Sequence, residues 1–314
     1  MSQMTPREAA VVDPILTAVA RGYGSPNAKI ADILFPRVDV TSRSGTILVF
    51  PPDAFQLVNS ARAPGANTKR ISLGYGKGTY SLVDHSLEGA VPIETEEEAQ
   101  TVPGIDLGSH AVNTVQDVMA NEREKQAADL ALNVDNYDAE HKIVLSSTDF
   151  WTNSASNPFE QVNEGREAIR KSTGKKPGVM VLSPTALLAL RNHPKVMDRI
   201  SITADRVPAT IEQLQRLFEI ERIVEGEATY HDGLKFQDMW GAEAVLAFTT
   251  PATMQQRGSP SYGYTYQLAG RPNVEEAYYE RNPKTWFYPV NDARKPVLVG
   301  ATAGFLFKNA GKGA

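Results

Sequence analysis

The side chains of this 314-residue chain that come nearest to a chemical signature are a glycine-lysine run, five histidines, one acidic cluster and a serine before a proline. In LGYGKGT, Gly74, Gly76 and Gly78 surround Lys77, a composition suited to holding a phosphate. A Walker loop needs a glycine five positions before the Gly-Lys pair and Ser or Thr after it, and those positions hold Ile71 and Gly78. A glycine-kinked strand is expected instead. His85, His110, His141, His193 and His231 are scattered, with no HExxH and no pair at i, i+4. Asp135, Asp138, Glu140 and His141 gather ligand types for a hard cation at the end of a helical segment, where charged groups facing water are the commoner explanation. Ser183 in LSPTA has no GxSxG around it and sits where the N-cap of a helix is expected. The expectation is therefore a protein without catalytic, cofactor-binding or metal-ligating residues.

One electrostatic pattern outlasts this screening. Between Ala54 and Val83 there are Arg62, Lys69, Arg70 and Lys77 and no acid. Between Gly78 and Glu122 there are nine acids, among them Asp84, Glu88, Glu94, Glu96, Glu97 and Glu98, and no Lys or Arg. A solvated basic hairpin beside a solvated acidic turn has this composition. So does a basic loop that docks on the acidic stretch of a neighbouring copy, and that arrangement makes assembly sensitive to salt.

Whole-chain composition narrows the class. A 41% apolar content is too high for a disordered chain, and no apolar run reaches the roughly 18 to 20 residues that cross a bilayer. No membrane partner is expected. The absence of cysteine removes disulfides, thiolate zinc sites and a cysteine nucleophile. MSQMTPREAA does not read as a signal peptide, so cytoplasmic synthesis is expected. A net charge of −5 gives no global basic footprint for nucleic acid.

The elements that must position these groups follow from periodicity. Met1 to Val40 reads as an extended arm with a small helical piece, cut by Gly22, Gly24 and Pro26. From Ser44 to about Val83 the pattern is strand, polar excursion, strand, and a two-stranded ribbon of this kind is marginal in water unless it lies on another surface. Val112, Val115, Met119, Ala127, Leu130 and Val134 mark a helix from about Asp106 to Asp135, roughly 45 Å long. From Asn157 helix and strand alternate. NPFEQVNEGREAIRKSTG, PTALLALRN and ATIEQLQRLFEI read as helices, and VMVLS and AVLAFTT as strands. After Gly270 the chain is strand-rich and ends on FLF and a short Gly/Lys tail.

This order of segments resembles the major capsid proteins of tailed bacteriophages, the Hong Kong 97 type fold. The resemblance covers nearly the whole chain and is carried most by ANEREKQAADLALN in the long helix and VLSPTALLALRNHPKV after it. It implies an α+β subunit with an N-arm over 1–43 and an extended E-loop over 44–83. It further implies a peripheral domain over 84–156 containing the spine helix (about 106–135), an axial domain over 157–270, and C-terminal return strands of the peripheral domain over 271–314. The implied function is a head protein that self-assembles as hexamers and pentamers into an icosahedral virion shell, built in the host bacterial cytoplasm. Its implied partners are other copies of itself, a separate scaffolding protein, a portal, a decoration or cement protein, and packaged double-stranded DNA bound without sequence specificity. Arm and loop become clasps between subunits, with Arg62, Lys69, Arg70 and Lys77 meeting Glu94, Glu96, Glu97 and Glu98 of an adjacent copy by non-covalent contacts. An encapsulin-like shell around a cargo enzyme resembles the same fold and is the alternative.

Overall fold

The structure is a computed structural model that describes residues 12–23, 30–49, 61, 76–100, 106–200, 207–251 and 261–313. Helices α1 (Pro14–Gly22) and α2 (Ala31–Leu34) come first, then strands β1 (Arg37–Val40), β2 (Ser44–Val49) and β3 (Gly76–Ser81). Strand β4 (Val83–Pro92) runs into helix α3 (Ile93–Gln100), and the long helix α4 (Leu107–Leu132) follows. After strand β5 (Lys142–Val144) come α5 (Pro158–Thr173), β6 (Val179–Leu182), α6 (Pro184–Asn192), α7 (Pro194–Ile200), α8 (Ile211–Phe218) and β7 (Arg222–Glu225). A hairpin of β8 (Thr229–His231) and β9 (Phe236–Asp238) leads to β10 (Ala244–Ala247). Strands β11 (Gly263–Leu268), β12 (Asn273–Val274), β13 (Tyr278–Glu280), β14 (Thr285–Leu298) and β15 (Gly304–Lys308) complete the chain order.

In the five-stranded sheet β5-β15-β10-β6-β7 the central strands β15, β10 and β6 are buried on both faces, which explains why they read as apolar runs. Alternation decides the face. Met180, Leu182, Leu246, Phe305 and Phe307 point to a core shared with helices α5 to α8. Val179, Val181, Val245 and Leu306 point to the other core, where Ala127, Ala128 and Ala131 of α4 meet Ile30, Ala31, Leu34 and Phe35. Helix α5 approaches so closely that a Cβ on Gly165 would stand 2.9 Å from the Phe307 ring and 3.0 Å from that of Phe305. Local sequence sets the helix starts. Asp106 accepts from the backbone of Gly108 and Ser109, Ser183 from Ala186, and Thr210 with Gln213 forms a reciprocal capping box.

The second sheet is organised by β14. One of its edges takes β4 over ten positions, from Val83 opposite Arg294 to Pro92 opposite Thr285. The other takes β13, β12 and β11 in succession, and β1 adds to β11 in parallel. The first half of α4 lies here, with Val112, Val115 and Met119 against Ala20, Val274 and Val290. Helix α4 thus joins both sheets. Its 26 residues span about 39 Å, somewhat shorter than the sequence suggested, because Asn133 leaves the helix and caps a following turn.

Sheet membership crosses the expected segment boundaries. Strands β5 and β15, from the segments 84–156 and 271–314, lie in the five-stranded sheet, while β11, from 157–270, lies in the sheet of β14. Of the expected arm, Ala31, Leu34 and Phe35 are fully inside the subunit's own core. From Gly76 onward the Gly-Lys run is strand β3, paired with β2 in a register that sets Gly78 opposite Ile47 and Lys77 opposite Leu48. That ribbon is anchored at its base by the Arg43–Asp84 ion pair and by Tyr80 stacked on Tyr266 at 4.6 Å.

Candidate assembly interface

Strand β4 and the first half of α4 diverge to leave an apolar groove of about 480 Å³. Its floor is tight: a Cβ on Gly89 would lie 2.9 Å from the Cβ of Ala111. Its walls are not covered. Leu87 from β4 is 41% exposed and Val118 from α4 52% exposed, with Ala90, Ala111 and Thr114 between them. Helix α3 forms one end of the groove, contributing Thr95 to the lining. Along its sequence IETEEEAQ, Glu94, Glu97 and Glu98 are exposed and Glu96 is half-buried. Burial pushes the Tyr288 phenol upward, and the charges of Glu96 and Asp106 push it further. An apolar channel with an anionic rim is complementary to an extended segment carrying apolar side chains and cations.

The four sequence-selected acids are therefore brought together on one helix. Arg62, Lys69 and Arg70 lie outside the described residues, and Lys77 is placed only by its backbone in β3. The groove itself escaped the sequence reading. Its signal was Val118, three residues after Val115, which widens the apolar face of α4 beyond what one sheet can cover.

The other chemically suggestive residues have structural employment. Ser183 caps α6, its Oγ accepting from the Ala186 amide at 3.2 Å. Asp138 accepts from the amides of Glu140 and His141 and lies 2.7 Å from the His141 ring, whose other nitrogen is 3.1 Å from Ser172. Asp135 and Glu140 stay in the exposed class, and among the described residues no group of three acids or histidines could hold a metal ion. His193 donates from Nε2 to the Asn153 carbonyl and accepts the Lys195 amide at Nδ1. Burial lowers its basicity.

The profile of the family described as phage major capsid protein E matches residues 111–290, which includes the second wall of the groove and the five-stranded sheet apart from β15. A major capsid protein of Burkholderia phage BcepMu is 34% identical over 302 residues, covering 94% of this chain and 95% of the relative. The chain belongs to the phage major capsid proteins. A second major capsid protein, from Pseudomonas phage JBD67, is 26% identical over 313 residues, covering 95% of this chain and 97% of the relative. In three dimensions the capsid subunit is similar to a phage-related protein of Bordetella bronchiseptica RB50, with 42% identity, a TM-score of 0.83, and 97% and 99% of the two chains covered. At the level of fold alone it matches the encapsulin of Synechococcus elongatus PCC 7942, with 10% identity, a TM-score of 0.54, and 91% of each chain covered. Its mixed helix and sheet architecture is that of Hong Kong 97 type capsid proteins. Family membership makes the subunit a structural component of a phage head, and encapsulins share its fold only distantly.

Proposed function

We propose that this capsid subunit closes its shell by laying the extended loop of one copy into the groove between β4 and α4 of the next. The observation that carries the reading is the apolar channel with Leu87 and Val118 exposed, lined by Glu88 and by Thr95 of the acidic helix α3. The segment between β2 and β3 has the matching composition: Phe55, Leu57, Val58, Ile71 and Leu73 supply apolar groups, and Arg62, Lys69 and Arg70 supply cations. Hydrophobic burial would hold the clasp, and the charges would set its direction and its sensitivity to salt. Lys77 stands at the ribbon end of the same loop. On this reading the subunit has no catalytic role and needs no cofactor.

The same reading assigns hexamers and pentamers as the capsomers of an icosahedral shell, assembled in the host cytoplasm with a separate scaffolding protein and a portal. A decoration or cement protein on the outer surface and double-stranded DNA held without sequence specificity complete the partners. In it, residues 1–43 are the arm, 44–83 the loop, 84–156 with 271–314 the peripheral domain and 157–270 the axial domain. The test is reversal of charge: Lys69→Glu with Arg70→Glu should weaken capsomer joining, seen by sedimentation and electron microscopy. Normal shells from that variant in low salt would contradict the clasp.

A further inference from the structure

Away from the groove, α1, α2, β1, the middle of α4 and β14 surround a polar cavity of about 90 Å³. Four arginines line it, Arg21, Arg37, Arg123 and Arg294, against two carboxylates, Asp32 and Asp292, with Arg21 also donating to the Pro272 and Gly270 carbonyls. Arg123 is 5% exposed and Arg294 2%. Like charges at such burial are costly unless something balances them. Burial, with the neighbouring charge of Arg37, pushes Arg123 down to about 10 even though Asp32 opposes the shift.

Hydrogen bonding shows the same imbalance. Asp32 already accepts from Arg37 Nε at 3.0 Å, Arg37 Nη2 at 3.1 Å and Arg123 Nη2 at 3.1 Å. Asp292 accepts from Gln267 and the Ala293 amide, both at 2.8 Å, and from Arg294 Nη1 at 2.7 Å. Arg294 Nη2 is held by the Met119 carbonyl at 2.6 Å, with Glu122 at 3.6 Å. The unpaired groups of the lining are donors. Arg123 Nε, Arg294 Nε and Gln116 Nε2 are buried with no protein acceptor among the described residues.

We propose that this cavity binds a tetrahedral inorganic oxyanion of the phosphate class. Such an ion is acceptor-only and multiply charged, and guanidinium forks match its oxygen spacing. At roughly 15 Å³ of cavity per water-sized group there is room for about six, and a phosphate has five non-hydrogen atoms. A phosphodiester carries bulk on two of its oxygens and fits this space poorly, which favours the free ion over a nucleic-acid backbone. The bound ion ties α1 through Arg21 and β1 through Arg37 to α4 through Arg123 and the sheet through Arg294. It therefore secures the N-terminal segment and stabilises the folded subunit by mass action.

The test is calorimetric titration of the purified full-length chain with inorganic phosphate, replacing chloride at constant ionic strength, together with its thermal unfolding. Saturable binding near one ion per chain and a midpoint that rises with phosphate are expected. Arg123→Gln should abolish the binding. Should that variant fail to fold, Arg21→Gln, at an exposed position of the lining, keeps the test open and should weaken affinity at least tenfold. Lys176→Gln, outside the cavity, should leave it unchanged. Absence of saturable binding, or equal affinity in wild type and Arg21→Gln, would overturn the proposal. A DNA duplex without terminal phosphates should not displace the ion, and displacement would overturn the assignment to a free anion.

Discussion

The two sheets of this subunit are finished to different degrees. The five-stranded sheet has helices α5 to α8 on one face and the end of α4 with residues 30–35 on the other, so that Leu182, Leu246, Leu306 and Phe307 are all fully buried. The sheet of β14 has α1 and α4 against it but leaves Leu87 and Val118 in an open channel beside an acidic helix. One sheet satisfies the apolar surface of its central strands within the chain, although Val144 of β5, Leu188 of α6 and Leu234 and Phe236 of the β8–β9 hairpin stay exposed. The other keeps a share of it for contact with something else, as a shell subunit must if burial energy is to appear on assembly.

Substitutions can separate the two halves. The largest effect is expected from Phe307→Ala in the closed half, which should cost the unassembled subunit about 3–5 kcal/mol in urea unfolding. Gly165→Ala drives a methyl into the Phe305 and Phe307 rings and should cost about 1–3 kcal/mol in the same measurement. His193 adds a pH-dependent contribution in that half. Because burial lowers its pKa, the unfolded chain takes up a proton that the folded chain refuses. Its stabilisation is therefore complete above the unfolded value of about 6.5 and is lost as pH falls through the lower folded value. His193→Gln should flatten that part of the stability–pH curve. Val118→Asp in the open half should change the subunit's own stability least, by about 0.5 kcal/mol or less, yet prevent capsomers from joining in sedimentation. Large destabilisation of the isolated chain by Val118→Asp would mean that the groove is already part of its own core.

How far the sequence could be read follows the same division. Helix α4, the caps at Asp106, Ser183 and Thr210, and the buried strand VMVL were legible because local pattern and tertiary environment agree there. Ala31, Leu34 and Phe35 read as part of an arm because four helical residues flanked by Gly, Pro and Asn carry too little periodicity to announce a core. The membership of β5, β11 and β15 depended on long-range pairing, which no local window encodes. In the candidate interface the acidic run was visible as composition, whereas the groove depends on the close approach of Gly89 to Ala111. The arginine cavity was invisible for the same reason, since Arg21, Arg37, Arg123 and Arg294 come from four distant segments.

The chain's lack of cysteine makes one experiment especially direct. Subunits carrying only Lys69→Cys are mixed with subunits carrying only Glu97→Cys, assembled and oxidised under mild conditions, and separated on a non-reducing gel. Each chain then holds a single thiol, so a disulfide joining the two labels can form only between copies. If the loop of one subunit lies against helix α3 of the next, the mixture should yield covalent dimers far beyond those from either variant alone. Closed shells that give no such heterodimer would contradict the claim that a neighbouring loop completes the open half.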